Sequence, residues 1–278
     1  MTQPKKTKRV EEVATVVEPL EIKSEEIVKE IVKEIEEVPR LQVDWKPVTA
    51  LGRQVKEGLI TDIDQIFDSG LPILDAQIAD QLLPGLEEDL LLIGQAKGKF
   101  GGGQRRIFRQ TQKKTKEGNK IKFTTVAVVG NRDGYVGIGL GKSNETVPSR
   151  DKAKRAARLN LIRVRRGSGT WQSDSRDPTS IPFAVTGRCG SVRITLMPAP
   201  KGKGLCVEKE CAKILSLAGV KDIWSKTEGQ TKTKLNLIYA LMDALRKLSE
   251  VKVQTDDIKK LGIVEGSLHK HHAQAMEQ

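Results

Sequence analysis

The sequence predicts an α+β chain with two successive units built from strand pairs and helices. Three observations carry that expectation. Lys120–Val129 alternates polar and apolar residues before turning wholly apolar, and after Asn131-Arg132-Asp133-Gly134, a tight hairpin turn, Tyr135–Gly141 alternates again. Residues 146–162 then change to helical spacing. Beyond a Gly-, Ser- and Asp-rich stretch at 167–180, a second run of two strands, a helix, a strand and a helix follows.

Each element has a reason in the residues. Residues 1–40 are an acidic extension, mobile by expectation, in which Ile27, Ile31 and Ile35 recur every fourth position with little nearby to pack on. Residues 41–88 read as a helical segment. Leu51, Val55, Ile63, Ile66, Phe67, Ile78 and Leu82 keep helical or helix-turn-helix spacing, Thr61 and Asp62 offer a cap, and Gly58, Gly70, Pro72 and Pro84 punctuate it. Residues 89–166 form the first α/β unit, opening on the apolar run Leu90–Ile93 and the polar strand Arg105–Gln112. Gly137, Gly139 and Gly141 share one face of their strand, which predicts close approach of the following helix through Ala153, Ala156 and Ala157. Residues 167–180 read as a linker and 181–250 as the second unit. Its strands are expected at Ile181–Arg188, Val192–Pro198 and Asp222–Ser225, and its helices carry Val207, Cys211, Ile214, Leu215 and Ala218, then Leu235, Ile238, Leu241, Met242, Leu245 and Leu248. Residues 251–278 are a polar tail, expected to be loose.

Charge narrows the function. The chain of 278 residues has a formal net charge of +12, and the sign changes along it: residues 1–44 hold 8 basic and 11 acidic side chains, 45–88 hold 3 and 8, and 89–278 hold 37 and 17. Lys99–Arg166 alone sets 19 Lys and Arg against 4 Asp and Glu. Such an excess calls for a partner dense in negative charge, and a phosphate backbone is the dense one. Aromatic content is only 4%. Phosphate contact and shape reading therefore fit better than base stacking.

Other classes find little support. Cys189, Cys206 and Cys211 are odd in number and lack a CxxC pair, which points to neither a disulfide framework nor a zinc module but to a reducing cytoplasm. No segment reaches the roughly 20 apolar residues of a membrane span, and the acid-rich N-terminus is unlike a signal or transit peptide. Pro198–Gly204 precedes a helix as a phosphate loop would, but it lacks the GKS or GKT ending, so no nucleotide cofactor is assigned. His269, His271 and His272 sit in the polar tail, and no metal is assigned to them.

Several ordered stretches are more specific than any of these patterns: WKPVTALGRQV at 45–55, VGNRDGYVGIGLG at 129–141, VTGRCGSVRITLMPAP at 185–200, KGL at 203–205 and LAGVKDIW at 217–224. In them the chain resembles the universal small-subunit ribosomal protein S five family, in its archaeal and eukaryotic form, called S two in eukaryotes, over roughly residues 42–250. The resemblance implies an N-terminal domain similar to the double-stranded-RNA-binding fold and a C-terminal domain with a left-handed βαβ crossover. It also implies a non-enzymatic component that packs on small-subunit rRNA in the cytoplasm, close to the mRNA where it enters, beside ribosomal proteins S four and S three in the bacterial naming, and that influences decoding accuracy. One departure is local: where archaeal relatives often place cysteines, this chain has Ser168, Gln172, Ser173 and Ser175.

The expected RNA contacts follow from charge and resemblance together. Lys113, Lys114, Lys116 and Lys120 resemble the family's basic hairpin, with Gly118 permitting its turn. Arg105, Arg106, Arg109, Lys122, Arg132 and Lys142 extend that surface. The helix cations Lys152, Arg155 and Arg158 and the following Arg163, Arg165 and Arg166 complete the first unit, and Lys201 and Lys203 belong to the second. Gly190 and Arg193 match a family region beside a neighbouring protein. The rival readings are a free double-stranded-RNA-binding regulator and an enzyme resembling small-molecule kinases.

Overall fold

The computed structural model describes residues 45–98, 103–172 and 176–268; the extension at 1–40 and the tail histidines lie outside them. Three short helices come first: α1 (Ala50–Lys56), α2 (Ile63–Asp68) and α3 (Ala76–Leu82). α1 starts at Thr49, whose hydroxyl accepts from the Gly52 amide at 3.1 Å and donates to Asp75 at 2.7 Å just ahead of α3. Helices this short are marginal alone. They are held by a common cluster in which Val55, Ile63, Ile66 and Ile78 pack with Trp45, Tyr135 and Leu161.

The first sheet contains β1 (Glu87–Leu90), β2 (Arg109–Thr115), β3 (Gly118–Gly130), β4 (Tyr135–Ser143) and β5 (Leu161–Arg163). All of its pairings are antiparallel, in the order β1-β3-β4-β5, with β2 on the outer half of β3. The strand expected at Leu90–Ile93 ends at Leu90, because the Leu92 amide donates to the Glu210 carboxylate at 2.9 Å instead of continuing the ladder, while Leu91 is buried.

α4 (Thr146–Leu159) lies across β4 on its glycine face. A Cβ on Gly139 would stand 2.2 Å from the Ala153 carbonyl oxygen, and one on Gly141 would stand 2.0 Å from the Ser149 carbonyl oxygen. Thr125 donates to that same Ser149 oxygen at 2.8 Å, so helix and sheet are bonded where the backbones meet.

The opposite face of the sheet, with Val126, Val128, Val136 and Ile138, packs into the second half of the chain. There β7 (Val185–Cys189), β8 (Val192–Pro198), β9 (Leu205–Cys206) and β10 (Ile223–Glu228) form a sheet in the order β7-β8-β10-β9. Within it β9 and β10 pair in parallel, joined through α5 (Lys209–Leu217), and the other pairs are antiparallel. α5 and the long α6 (Lys234–Glu250) contribute Ile214, Leu215, Ile238, Leu241 and Leu245 to the cluster that holds the valines of β3 and β4. The residues assigned to two units thus share one continuous core. Periodicity reveals that a face is apolar, not what covers it.

Two further differences follow from backbone pairing. The stretch expected as a linker is tied down: Gly167 and Ser180 exchange two backbone hydrogen bonds at 2.9 and 3.1 Å, and the Ser168 amide donates to Leu261 at 2.8 Å. The first part of the expected loose tail forms α7 (Thr255–Leu261) and β11 (Val264–Glu265), which pairs with β6 (Arg165–Arg166).

Those two arginines hold this strap. Arg165 donates to Glu265 at 2.6 Å and to the Leu248, Ser249 and Val251 carbonyls at the end of α6. Arg166, 1% exposed, donates to Asp133 at 2.7 Å and to the Gly266 carbonyl at 2.6 Å. Asp133 also accepts from the Ser267 hydroxyl and the Leu268 amide. Burial pushes the Asp133 carboxyl upward, but the hydrogen bonds from Ser267, Arg166 and Leu268 outweigh it and leave it below the ordinary aspartate value.

Gly139→Val drives a side chain into the α4 backbone and is expected to cost about 2 kcal/mol or more in chemical denaturation. Arg166→Ala removes a buried guanidinium and leaves the half-buried Asp133 with only Ser267 and Leu268 as partners, and is expected to cost about 1.5–3 kcal/mol. Because the folded Asp133 titrates below its unfolded value, its contribution is complete above the ordinary Asp range and is lost as pH falls through the lower folded value. Asp133→Asn should remove that component from the acid-unfolding curve.

Candidate nucleic-acid interface

The site is built on the length of β3. Its inner half, Thr125–Gly130, is buried, whereas Gly118–Lys122 is exposed and pairs with β2 alone among the described strands. A two-stranded ribbon is marginally stable in water by itself. This one is braced at its base by Phe108 against Phe123, edge to face with centroids 5.4 Å apart, and at its tip by the Thr115 hydroxyl donating to Gly118 at 2.8 Å. Gly118 takes φ 114°, a conformation that side chains disfavour, where the chain reverses through Lys116 and Glu117.

From Arg109 to Thr124 the ribbon carries Arg109, Lys113, Lys114, Lys116, Lys120 and Lys122 against the single acid Glu117. All six cations are exposed, and Lys120 meets Glu117 at 3.2 Å. Arg106 is exposed just before β2, while Arg105 is half-buried and donates to the Gly94 and Lys232 carbonyls at 3.3 and 3.4 Å. Lys142 is exposed near the end of β4, and Lys152 and Arg155 are exposed on α4.

The fold withdraws other expected contacts from that surface. Arg165 and Arg166 are buried in the strap network, with their guanidinium groups committed to Glu265, Asp133 and backbone carbonyls, so neither presents a free charge to a phosphate. Arg158 is half-buried between Asp80 and Glu88, and Arg163 lies between Asp64, Asp68 and Glu265. Exposed Arg132 reaches Glu87 at 2.7 Å. These acids come mostly from residues 45–88, whose excess of negative charge was visible in the sequence without an assigned role. The signal that could have placed them was the helical packing of that segment on the strand ends.

Lys201 and Lys203 are exposed at the turn after β8, apart from the ribbon in sequence, and Lys201 pairs with Asp177. That pair holds the Asp177 carboxyl below its ordinary range. At the β7–β8 turn Gly190 has φ 61°, and the exposed Arg193 stands between Arg188 of β7 and Glu228 of β10. Among the described residues no group of three or more His, Cys, Asp or Glu is placed to hold a metal ion, and no helix is long and apolar enough to cross a membrane.

Apart from Lys120, which meets Glu117, the arrangement offers uncompensated cations on a projecting arm, which is chemistry for binding a polyanion. Comparison with known proteins places the chain in a family. Residues 107–165 match the model described as "Ribosomal protein S5, N-terminal domain", and residues 187–260 match "Ribosomal protein S5, C-terminal domain". The protein called "Small ribosomal subunit protein uS5" in Nanoarchaeum equitans is 47% identical over 225 residues, covering 81% of this chain and 96% of that one. The protein of the same name in Methanosphaera stadtmanae is 45% identical over 80% of this chain and 91% of its own length, and that of Methanocaldococcus jannaschii is 44% identical over 82% and 98%. With both domain models matched in order and nearly half of the residues shared along most of its length, this chain belongs to the ribosomal protein S5 family.

Proposed function

We propose that this chain is a structural constituent of the small ribosomal subunit that binds small-subunit rRNA, without catalysis of its own. The observation that carries the reading is the β2–β3 ribbon, with six exposed cations and one acid on a strand whose other half is locked into the core. Relatives that are nearly half identical bear the name of a small ribosomal subunit protein. Lys113, Lys114, Lys116, Lys120 and Lys122, with Arg106, Arg109, Lys142, Lys152 and Arg155, neutralise phosphates and release counterions as the rRNA seats against them. The core holds the arm in place, so little ordering is left to be done on binding.

The finer reading follows the family. The chain sits near the mRNA where it enters, beside ribosomal proteins S four and S three in the bacterial naming, with Gly190 and Arg193 at a protein neighbour. The first sheet with α4 corresponds to the double-stranded-RNA-binding-like part, and β9–α5–β10 to the left-handed crossover. Support for these assignments lies in the antiparallel sheet with its helix, the parallel β9–β10 pair and the exposure of the β7–β8 turn.

Two outcomes test the proposal. In a sucrose gradient the native chain is expected to travel with small subunits; recovery only in the light fractions would support a free double-stranded-RNA-binding regulator instead. Replacing Lys113, Lys114 and Lys116 together with Ala should weaken binding and flatten the plot of log affinity against log salt by roughly two units, at about 0.7–0.9 for each phosphate no longer neutralised. An unchanged slope refutes the role of the ribbon.

A further inference from the structure

The strap at residues 252–268 is held differently from the structure it lies on. α7 buries no residue, and Ile263 is the only buried side chain of the strap, whereas α6 just before it buries Leu237, Ile238, Leu241, Leu245 and Leu248. None of the three apolar clusters contains a residue of 252–268. Burial of apolar surface therefore supplies little of the strap's hold.

Its fastenings are polar and are met in separate places. Arg165 donates through Nε to Glu265 at 2.6 Å, and Arg163 also reaches Glu265, at 3.3 Å. Arg166 donates to the Gly266 carbonyl, Asp133 in the β3–β4 turn accepts from Ser267 and Leu268, and the Ser168 amide donates to the Leu261 carbonyl. Arg166 is itself wedged where the two halves of the chain meet: a Cβ on Gly219, in the turn after α5, would stand 2.7 Å from its guanidinium. These anchors are in position only when the β3–β4 turn has docked on Leu217 and Ala218. Dependence runs one way, because the strap needs the finished core and the core clusters do not need the strap.

The geometry also supplies a hinge. At Val251, 45% exposed, the chain leaves the helical conformation with ψ 127°, and it takes up neither helix nor strand until α7 begins at Thr255. On the core side of that hinge Arg165 keeps hold of the Leu248, Ser249 and Val251 carbonyls, so the end of α6 stays fixed when the strap leaves. A segment tied by a few polar contacts, on a solvent-exposed connection, belongs to the low-stability end of a fold.

We propose that residues 252–268 are a clasp that opens and recloses as one unit about 251–254 while the core beneath stays folded. Closed, it sets Glu265 against Arg163 and Arg165 and covers the Arg165 guanidinium. Open, it carries that acid away and uncovers Arg165, while Arg166 keeps Asp133 in either state. The clasp thus switches the usable positive charge beside β6, and it does so whether or not the ribbon binds rRNA.

Site-resolved native-state hydrogen exchange on the full-length chain tests it. The amides of Gly266 and Leu268, which bond Val164 and Asp133, and that of Ser168, which lies outside the strap but bonds Leu261, should share one protection factor, roughly hundredfold below that of Val126–Val129. The Arg165 Nε proton should exchange with them, whereas the Val164 amide, bonded to Gly134, stays with the core. Ile214→Val, a one-methylene loss in the core, should lower the protection of Val126–Val129 roughly fivefold and leave the strap group unchanged. Glu265→Gln should lower the strap group roughly fivefold.

If Ile214→Val lowers both sets by the same factor, the strap opens only with the whole molecule and the clasp is overturned. Different protection factors within the strap group, Ser168 or the Arg165 Nε proton exchanging with the core, or a strap indifferent to Glu265→Gln overturn it as well.

Discussion

The clamping of β3 between α4 and the shared core is the constraint on which the rest depends. Ala127 and Val129 pack under the small residues of α4, while Val126 and Val128 enter the cluster built around α5 and α6. Alternation means that both faces of the inner half are buried, so the strand has one available direction and its outer half inherits it. An arm whose cations were carried on a loop would lose conformational freedom on meeting its ligand. Here that freedom is removed when the core forms.

Close approach on the α4 side is possible because Gly137, Gly139 and Gly141 present no side chain, and the space is taken by helix backbone. The turn at the far end of β3 is gripped from the other side. Arg132 adopts φ 57°, unusual outside glycine, and its amide donates to the Leu217 carbonyl at 2.8 Å, while the Gly134 amide donates to Ala218 at 3.2 Å. The sequence stretches VGNRDG and LAGV are thereby docked on each other across what the linear pattern divides into two domains.

Electrostatics is arranged in the same spirit. Cations near the strand ends and the base of α4 meet acids from the leading helices and β1, and the two buried arginines fasten the C-terminal strap. The ribbon, with a single acid, is spared this compensation. Net charge and usable charge thus differ, and an uncompensated surface is what a polyanion can exploit.

Much of this could be read from residue order. Period-two alternation located β3 and β4, the glycine face announced a tightly packed helix, helical spacing located α5 and α6, and the concentration of Lys and Arg named the class of partner, because these depend on residues close in the chain. Other features needed the folded molecule. The sequence could not show that Arg166 is buried while Lys122 is exposed, that Asp80 and Glu88 disarm Arg158, or that Leu261 and Gly266 return to bond Ser168 and Arg166. Burial and ion pairing of a given side chain are set by residues tens to a hundred positions away, and a local pattern carries no information about which distant segment will arrive.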